Sequence, residues 1–307
     1  MARTIFYLTF AGLVLWIGVA AGGPPTFSFS QIDFPGAKST SGSGLNARGD
    51  IVGSYTDQAN KTHGFLLSDG NFTTIDYSGA VVTQARGINS QGDIVGTYNG
   101  PNQLTAGSGG DIHGFLLRAG ASIPEAVDYP GHMNTIAQRI TNTGQILGCY
   151  HDHDTMGSMH GILVSDGNFI ALDGTENGLT VPASMNNGAT PSGRVITGLY
   201  SDMMGPHSYV ISDGNFASFD FPGAISTSAW DMNPSGEIVG VYVDGAAKTH
   251  GFLLRHGEFA SIDYPAPGVK ASRVFGINPE GDVVGAYVDA AGATHGFRLT
   301  RTGPHGE

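Results

Sequence analysis

The sequence predicts an all-β fold: a six-bladed β-propeller with four antiparallel strands in each blade. Its main support is repetition, because a His-Gly-Phe tripeptide or a close variant recurs six times. Before each copy lies a β-branched run that contains glycine and ends in tyrosine. The glycines of these runs recur with a period of 42 to 52 residues, at Gly53, Gly96, Gly148, Gly198, Gly240 and Gly285. A period of this size is typical of stacked or radial repeats.

Each repeat contains four short apolar runs, of which 228–268 holds a complete set. The first two runs are joined by glycine-containing turns such as 89–92 and 278–281, and the last two by Ser-Asp-Gly, as at 68–70. Asp-Gly between apolar runs indicates a hairpin, because both residues tolerate positive φ. The runs are rich in β-branched and aromatic residues and too short for helices, and no helical period follows residue 26. The repeat therefore predicts four strands.

The two chain ends predict how the last blade is completed. The sixth repeat stops after its third strand, at 295–300, whereas the segment 27–37 resembles the fourth strand at 258–268. We expect residues 27–34 to pair with 295–300 as the outer strand of that blade. Such pairing closes the ring and removes an open edge, whereas a linear solenoid would need polar caps at both ends.

The N-terminus indicates export. Arg3 precedes an apolar stretch, and small residues follow up to Ala21, which is the pattern of a secretory signal peptide. An uncleaved anchor is the alternative, but about 16 apolar residues are short for a membrane span. We expect a signal peptide over 1–21, a linker over 22–26, the propeller over 27–300 and a tail over 301–307. The mature chain is then secreted or periplasmic, a monomer, and free of the membrane.

The net charge excludes some classes of binding partner, and the cysteine count excludes a disulfide framework. The formal net charge of −12 disfavours nucleic acid and anionic lipid as partners. Cys149 is the single cysteine, so the fold has no disulfide framework. Its place in the repeat predicts a small, half-buried and unreactive residue.

The repeated patterns IDYPGA, GIN..GDIVG.Y and HGFLL..G.F resemble those of the bacterial extracellular HAF repeats, over residues 27–300. This resemblance implies an exported bacterial repeat protein and brings no catalytic residues with it. The third repeat departs from the pattern, with Arg139-Ile140-Thr141 in place of Gly-Ile-Asn.

The six repeated histidines favour a structural role, because six copies of a catalytic group around a ring serve no single substrate. They are His63, His113, His160, His207, His250 and His295. We expect each imidazole to be largely buried and hydrogen-bonded within its blade; a ring of metal sites is the alternative. Two sets of repeated aspartates are candidate partners: those after the second strand (Asp57, Asp152, Asp202, Asp244 and Asp289) and those of the fourth strand (Asp33, Asp76, Asp128, Asp173, Asp220 and Asp263).

The repeats differ from one another mainly in the loops that follow the second and fourth strands. These loops share one face of the predicted propeller and vary in length. Binding residues concentrate on such loops. The loop 151–159 offers a ligand set suited to copper or zinc: His151, His153, Asp154, Met156 and Met159. Neighbouring loops add His132, Met133, Met203 and Met204. No other cofactor is expected.

Enzyme signatures are absent from the sequence: there is no G-x-S-x-G elbow, phosphate loop or H-E-x-x-H motif. The sequence therefore favours a non-catalytic binding module for an extracellular protein or carbohydrate. One alternative is a polysaccharide hydrolase or lyase whose carboxylates meet at the ring axis. A second alternative is a periplasmic metal-binding protein.

Overall fold

The computed structural model describes residues 26–100, 112–131, 134–151, 159–171, 179–185, 195–202, 205–212 and 215–302. Within these ranges the chain forms 24 β-strands and no helix, so the all-β prediction is confirmed. A search of the same residues for a helix long and apolar enough to cross a membrane finds none.

The first three repeats each form an antiparallel meander of four strands, which we call units 1 to 3. Unit 1 comprises β2 (Ser39–Leu45), β3 (Ile51–Thr56), β4 (Thr62–Ser68) and β5 (Asn71–Ile75). Unit 2 comprises β6 (Val82–Ile88), β7 (Ile94–Asn99), β8 (Ile112–Leu117) and β9 (Glu125–Val127). Unit 3 comprises β10 (Asn134–Ile140), β11 (Ile146–His151), β12 (Met159–Ser165) and β13 (Asn168–Ala171).

The other three repeats form units 4 to 6. Unit 4 comprises β14 (Leu179–Met185), β15 (Val195–Asp202), β16 (Gly205–Ser212) and β17 (Asn215–Phe219). Unit 5 comprises β18 (Ser226–Met232), β19 (Ile238–Val243), β20 (Thr249–Arg255) and β21 (Glu258–Ile262). Unit 6 comprises β22 (Ala271–Ile277), β23 (Val283–Val288), β24 (Thr294–Thr302) and, from the start of the chain, β1 (Thr26–Ile32).

The repeated glycine of the second strand is fixed by packing within the sheet. A Cβ on Gly53 would lie 2.0 Å from the carbonyl oxygen of Ser41 and 2.8 Å from the ring of Phe65. Phe65, opposite Gly53 in the register, is fully buried. The same contact recurs between Gly240 and Phe252. The glycine therefore gives the aromatic ring of the third strand its place in the core.

The strand that completes unit 6 comes from the start of the chain. β1 pairs with β24 along its whole length, from Thr26 opposite Thr302 to Ile32 opposite Gly296. The predicted pairing of the N-terminal strand with the last repeat is confirmed over these residues. Phe29 packs against Phe297 and Tyr264, so side chains as well as the backbone join the two ends.

The units pack in sequence, and unit 1 packs in turn against unit 6. The first strand of each unit lies on the preceding unit, and β2 lies on β22, β23 and β24. Asparagines that follow the first strands link neighbours through Nδ2: Asn46 donates to the carbonyl of Asn89 and Asn278 to that of Asn46, at 3.1 and 3.3 Å. Contacts therefore run from each unit to the next and return to the first.

Candidate functional site

The repeated histidines lie in aromatic and acidic surroundings within each unit. In unit 1, Nδ1 of His63 donates to Asp76 at 2.9 Å, and Nε2 lies 3.3 Å from an oxygen of Asp57. The His63 ring stacks on Tyr55, with ring centroids 4.9 Å apart. His250 repeats this arrangement with Asp263, Asp244 and Tyr242. The predicted hydrogen bonding within the units is confirmed for His63, His113, His207, His250 and His295, whereas Asp173, the predicted partner of His160, lies outside the described residues.

The aspartate after the second strand also caps its own loop. The backbone N–H of Lys61 donates to Asp57 at 2.8 Å, and this hydrogen bond lowers the pKa of the Asp57 carboxyl. Asp244 receives the backbone N–H of Lys248 in the same way, with the same effect on its pKa. The same carboxylate therefore stabilises the loop and contacts the imidazole.

Burial of the histidines varies with their surroundings. The side chains of His63 and His250 are 12% and 11% exposed, whereas that of His113 is 32% exposed. In unit 2, Gly100 stands where unit 1 has Asp57, so His113 lacks this carboxylate beside Nε2. The expectation of large burial holds for His63 and His250 and is too strong for His113.

Changing His250 to alanine is expected to lower the free energy of unfolding by about 1–3 kcal/mol, because Asp263 and Asp244 lose a buried partner. Urea unfolding followed by circular dichroism measures the effect. His256→Asn is the control: His256 is exposed in a turn of the same unit, at a φ of 51° that asparagine tolerates. An unchanged midpoint for His250→Ala, with loss of a bound metal or ligand, would instead assign the histidines a binding role.

A second group of residues that differ between the repeats lies where the first strands of the units meet. Each first strand carries a β-bulge, in which one extra residue is left out of the ladder. We call the extra residues of units 1, 2, 3, 5 and 6 the bulge residues: Ser43, Arg86, Gln138, Trp230 and Phe275. Bulge residues of adjacent units touch, since Nη1 of Arg86 donates to Gln138 at 3.2 Å and the Trp230 and Phe275 rings lie 5.6 Å apart. The bulges therefore direct these side chains toward a shared centre.

Arg139 marks that centre. Its guanidinium donates to the carbonyl oxygens of four bulge residues: Arg86 and Gln138 at 2.8 Å, Ser43 at 3.3 Å, and Phe275. Its Nε lies 3.4 Å from a carboxylate oxygen of Asp231. One side chain thus contacts units 1, 2, 3, 5 and 6, which places it where they converge. Burial lowers the pKa of Arg139, and the Asp231 carboxylate opposes that shift.

Small residues at equivalent positions make room for Arg139. Its position in the repeat is occupied by Gly44, Gly87 and Gly276 in units 1, 2 and 6. A Cβ on Gly44 would lie 2.8 Å from the carbonyl oxygen of Arg86, so these strands approach each other too closely for a side chain. One arginine fills a space that six could not share.

A further layer of side chains lies two residues before the bulge residues. Its members occupy one register position, opposite the residue between glycine and tyrosine of the second strand: Ser41, Gln84, Ile136, Ser228 and Arg273. They are half-buried, while their chain neighbours, such as Ser272 and Val274, are fully buried. We call this layer and the bulge residues together the axial cluster. It combines hydroxyl, amide and guanidinium groups with two aromatic rings.

A small pocket lies among the turns that follow the first strands, on one side of the axial cluster. Its lining includes Arg139, Asp231, Asn46, Thr141 and Pro279. This pocket encloses about 60 Å³, too small for a sugar ring. The axial cluster lies beyond Arg139, toward the opposite face, which carries the loops of variable length.

The predicted metal loop is described only at its two ends. His151 and Met159 face each other in the β11–β12 register, and both are half-buried. His153, Asp154 and Met156 lie outside the described residues, as do His132, Met133, Met203 and Met204. Within the part of the chain that the structure describes, no three histidine, cysteine or acidic side chains gather as a metal site would need. The copper or zinc site stays a prediction.

Cys149 is fully buried, more than the half-burial that the repeat predicts. Burial raises the pKa of its thiol to about 12, and Arg86 opposes this shift. A neutral, enclosed thiol is a poor nucleophile, in agreement with the expected lack of reactivity.

Sequence analysis missed the axial cluster. Arg139 was visible as a departure from Gly-Ile-Asn, and Arg86, Trp230 and Arg273 as large residues among small ones in the first strands. These departures were the available signal. Their convergence depends on the bulges, which no residue type in the sequence marks.

Neither the protein-family models nor the curated proteins give a match. Among solved structures, a triple arginine-to-alanine mutant of AofleA from Arthrobotrys oligospora is 13% identical, with a TM-score of 0.54, over 90% of each chain. Trypanosoma rangeli sialidase with the inhibitor DANA is 10% identical, with a TM-score of 0.53, over 89% of this chain and 59% of that one. A likeness at this level of identity concerns the fold alone.

A lectin from Aleuria aurantia, described as a six-bladed β-propeller with a novel mode of fucose recognition, is also similar. It is 9% identical, with a TM-score of 0.49, over 92% of this chain and 95% of that one. This likeness is too weak to assign a function.

Proposed function

We propose that the chain is a closed six-bladed β-propeller that binds carbohydrate through its axial cluster, without chemistry of its own. Closure is supported by the β1–β24 ladder and by the contacts of β2 with unit 6. In a propeller the first strands line the axis, which agrees with the contacts of Arg139 with five units.

The observation that carries the proposal is the pairing of aromatic and polar groups in the axial cluster. Trp230 and Phe275 form an edge-to-face pair and are both half-buried, so their rings offer apolar surface at the axis. Ser41, Gln84 and Ser228, two residues before the bulges of their own strands, add uncharged hydrogen-bonding groups to the cluster. A sugar has the matching chemistry, because its C–H face packs on an aromatic ring while its hydroxyls need donors and acceptors.

The acidic groups favour binding over catalysis of sugar hydrolysis. Within the described residues, Asp231 is the one carboxylate in contact with the centre, and it is engaged by Arg139 and the N–H groups of Met232 and Ile277. A glycosidase needs two carboxylates that flank the bond to be broken. Glu125, a candidate acid outside the repeat, lies on the outer strand β9.

Replacing Trp230 by alanine is expected to weaken glycan binding by about 10-fold or more, because stacking and the burial of aromatic area are lost. The mature chain is first applied to a glycan array, and the strongest ligand is then measured by calorimetry with wild type and Trp230→Ala. Phe216→Ala is the matched control, since Phe216 is 38% exposed on β17, at the outer side of unit 4.

Two outcomes would contradict the proposal. One is a mature, folded chain that binds no glycan on the array. The other is a Trp230→Ala variant that is folded and binds as tightly as wild type. Thermal melts of both variants establish that loss of binding is not loss of fold.

A further inference from the structure

We propose that the axial cluster selects an acidic sugar, whose carboxylate or sulfate group is held by Arg273, with Arg86 as a second cation of the cluster. This inference rests on the proposed carbohydrate-binding function and specifies the ligand class.

Most arginines of the described chain are neutralised by carboxylates. Six of the eight described arginines form an ion pair with an aspartate or glutamate: Arg48, Arg118, Arg139, Arg255, Arg298 and Arg301. Arg86 and Arg273 form no such pair within the described residues, and both belong to the axial cluster. In a chain with 26 acidic and 14 basic residues, two guanidinium groups of one cluster that lack an ion pair with any described carboxylate are a specific feature.

Arg273 has no hydrogen-bonding partner among the described residues. It lies between the fully buried Ser272 and Val274, so its side chain leaves the opposite face of β22 and stays half-buried. The equivalent positions of the other units hold serine, glutamine or apolar residues, so the fold does not require an arginine here. A guanidinium group suits a carboxylate or sulfate, which it can bind through two parallel hydrogen bonds.

Arg86 is held in place by uncharged acceptors. Its guanidinium donates to Gln84 at 2.9 Å, Gln138 at 3.2 Å and Thr97 at 3.2 Å. These contacts orient the group but leave its charge uncompensated. Burial lowers its pKa to about 10, so it is charged at neutral pH. Arg139 is neutralised by Asp231, so Arg86 and Arg273 together leave the axial cluster positive.

Small residues lie between these two arginines in the order of the units. Arg273 belongs to unit 6 and Arg86 to unit 2, and the intervening unit 1 contributes only Ser41 and Ser43. On the other side of Arg273, unit 5 contributes Ser228 and the Trp230 ring. A pyranose stacked on Trp230 could therefore direct an acidic substituent toward Arg273. The overall charge of −12 opposes long polyanions at a distance, so selection depends on short-range contacts at the axis.

The test uses sugar pairs that differ only in charge. Calorimetry with the mature chain compares oligogalacturonate with its methyl ester, and a sulfated galactan oligosaccharide with its desulfated form. We expect at least one acidic member to bind about 10-fold or more tightly than its neutral partner, with a preference that weakens at high salt. The better pair identifies the carboxylate or the sulfate as the preferred group.

Arg273→Gln is expected to abolish the preference for the acidic member of the pair, and Arg273→Lys to restore part of it. Arg118→Gln is the matched control, because Arg118 is 55% exposed and lies 3.8 Å from Asp93. Equal affinity for acidic and neutral members, or a preference that survives Arg273→Gln, would overturn this inference alone. Binding of neutral glycans through Trp230 would then still support the proposed function, whereas a folded chain that binds none of the four sugars and no glycan on the array contradicts both.

Discussion

Replacing Arg139 by methionine is expected to lower the free energy of unfolding by about 3–5 kcal/mol, because the change leaves a buried carboxylate without its cation. Asp231 is 8% exposed, and the backbone N–H groups of Met232 and Ile277 also donate to it. Four bulge carbonyls also lose the donor that satisfies them. Urea unfolding, extrapolated linearly to water, measures the loss.

A second variant shows whether charge is the cause. In Arg139→Met with Asp231→Leu, the unpaired carboxylate is removed, and part of the stability should return because apolar pairs often replace buried ion pairs at little cost. Arg118→Met, on the exposed Arg118–Asp93 pair, should change stability by less than about 1 kcal/mol. An Arg139→Met variant as stable as this control would mean that the guanidinium does not hold the units together.

Removing residues 22–36 from the mature chain is expected to lower its melting temperature by about 10 °C or more. The deletion removes the seven-residue ladder with β24, the buried side chain of Ile32 and the half-buried ring of Phe29, which packs on the core. Each such apolar side chain contributes about 2–5 kcal/mol when buried, and a domain of this size loses about 2–4 °C per kcal/mol. It also exposes β24 as an open edge, so soluble aggregates should appear in size-exclusion chromatography with light scattering.

Point variants separate packing from chain length. Phe29→Ser should lower the melting temperature, because Phe29 packs on Phe297 and Tyr264. Phe27→Ser, two residues earlier on the same strand, should have little effect, since Phe27 is 41% exposed. If the chain without 22–36 melted like the mature protein, β1 would not complete unit 6.

The strands and turns could be predicted because their causes are local. Asp69 and Asp166, in the Ser-Asp-Gly turns, adopt φ values of 50° and 51°, and the following Gly70 and Gly167 are also at positive φ. The pairing of β1 with β24 was predicted from one motif missing at the end of the chain and present at its start. Repetition supplied this information, because each unit could be compared with its siblings.

The axial cluster could not be predicted, because its causes are not local. A bulge arises from the register of two strands, and Arg139 gains its role only where carbonyls of four units meet. His151 and His153 were predicted as metal ligands because of residue type and spacing within one loop. No sequence motif surrounds Arg273. The proposal for this residue depends on the structure, in which its guanidinium has no hydrogen-bonding partner among the described residues.

The asparagine link from Asn278 to Asn46 has a consequence for how the molecule opens. In an open stack of repeats, an end unit is held by one neighbour and can fray while the others stay folded. Here unit 1 is held by unit 2 through Asn46 and by unit 6 through Asn278, so its departure breaks two interfaces. Unit 1 therefore differs from the end unit of an open stack, which has only one neighbour. Unfolding should therefore be cooperative, and amide protons of units 1 and 6 should exchange as slowly as those of the units between them.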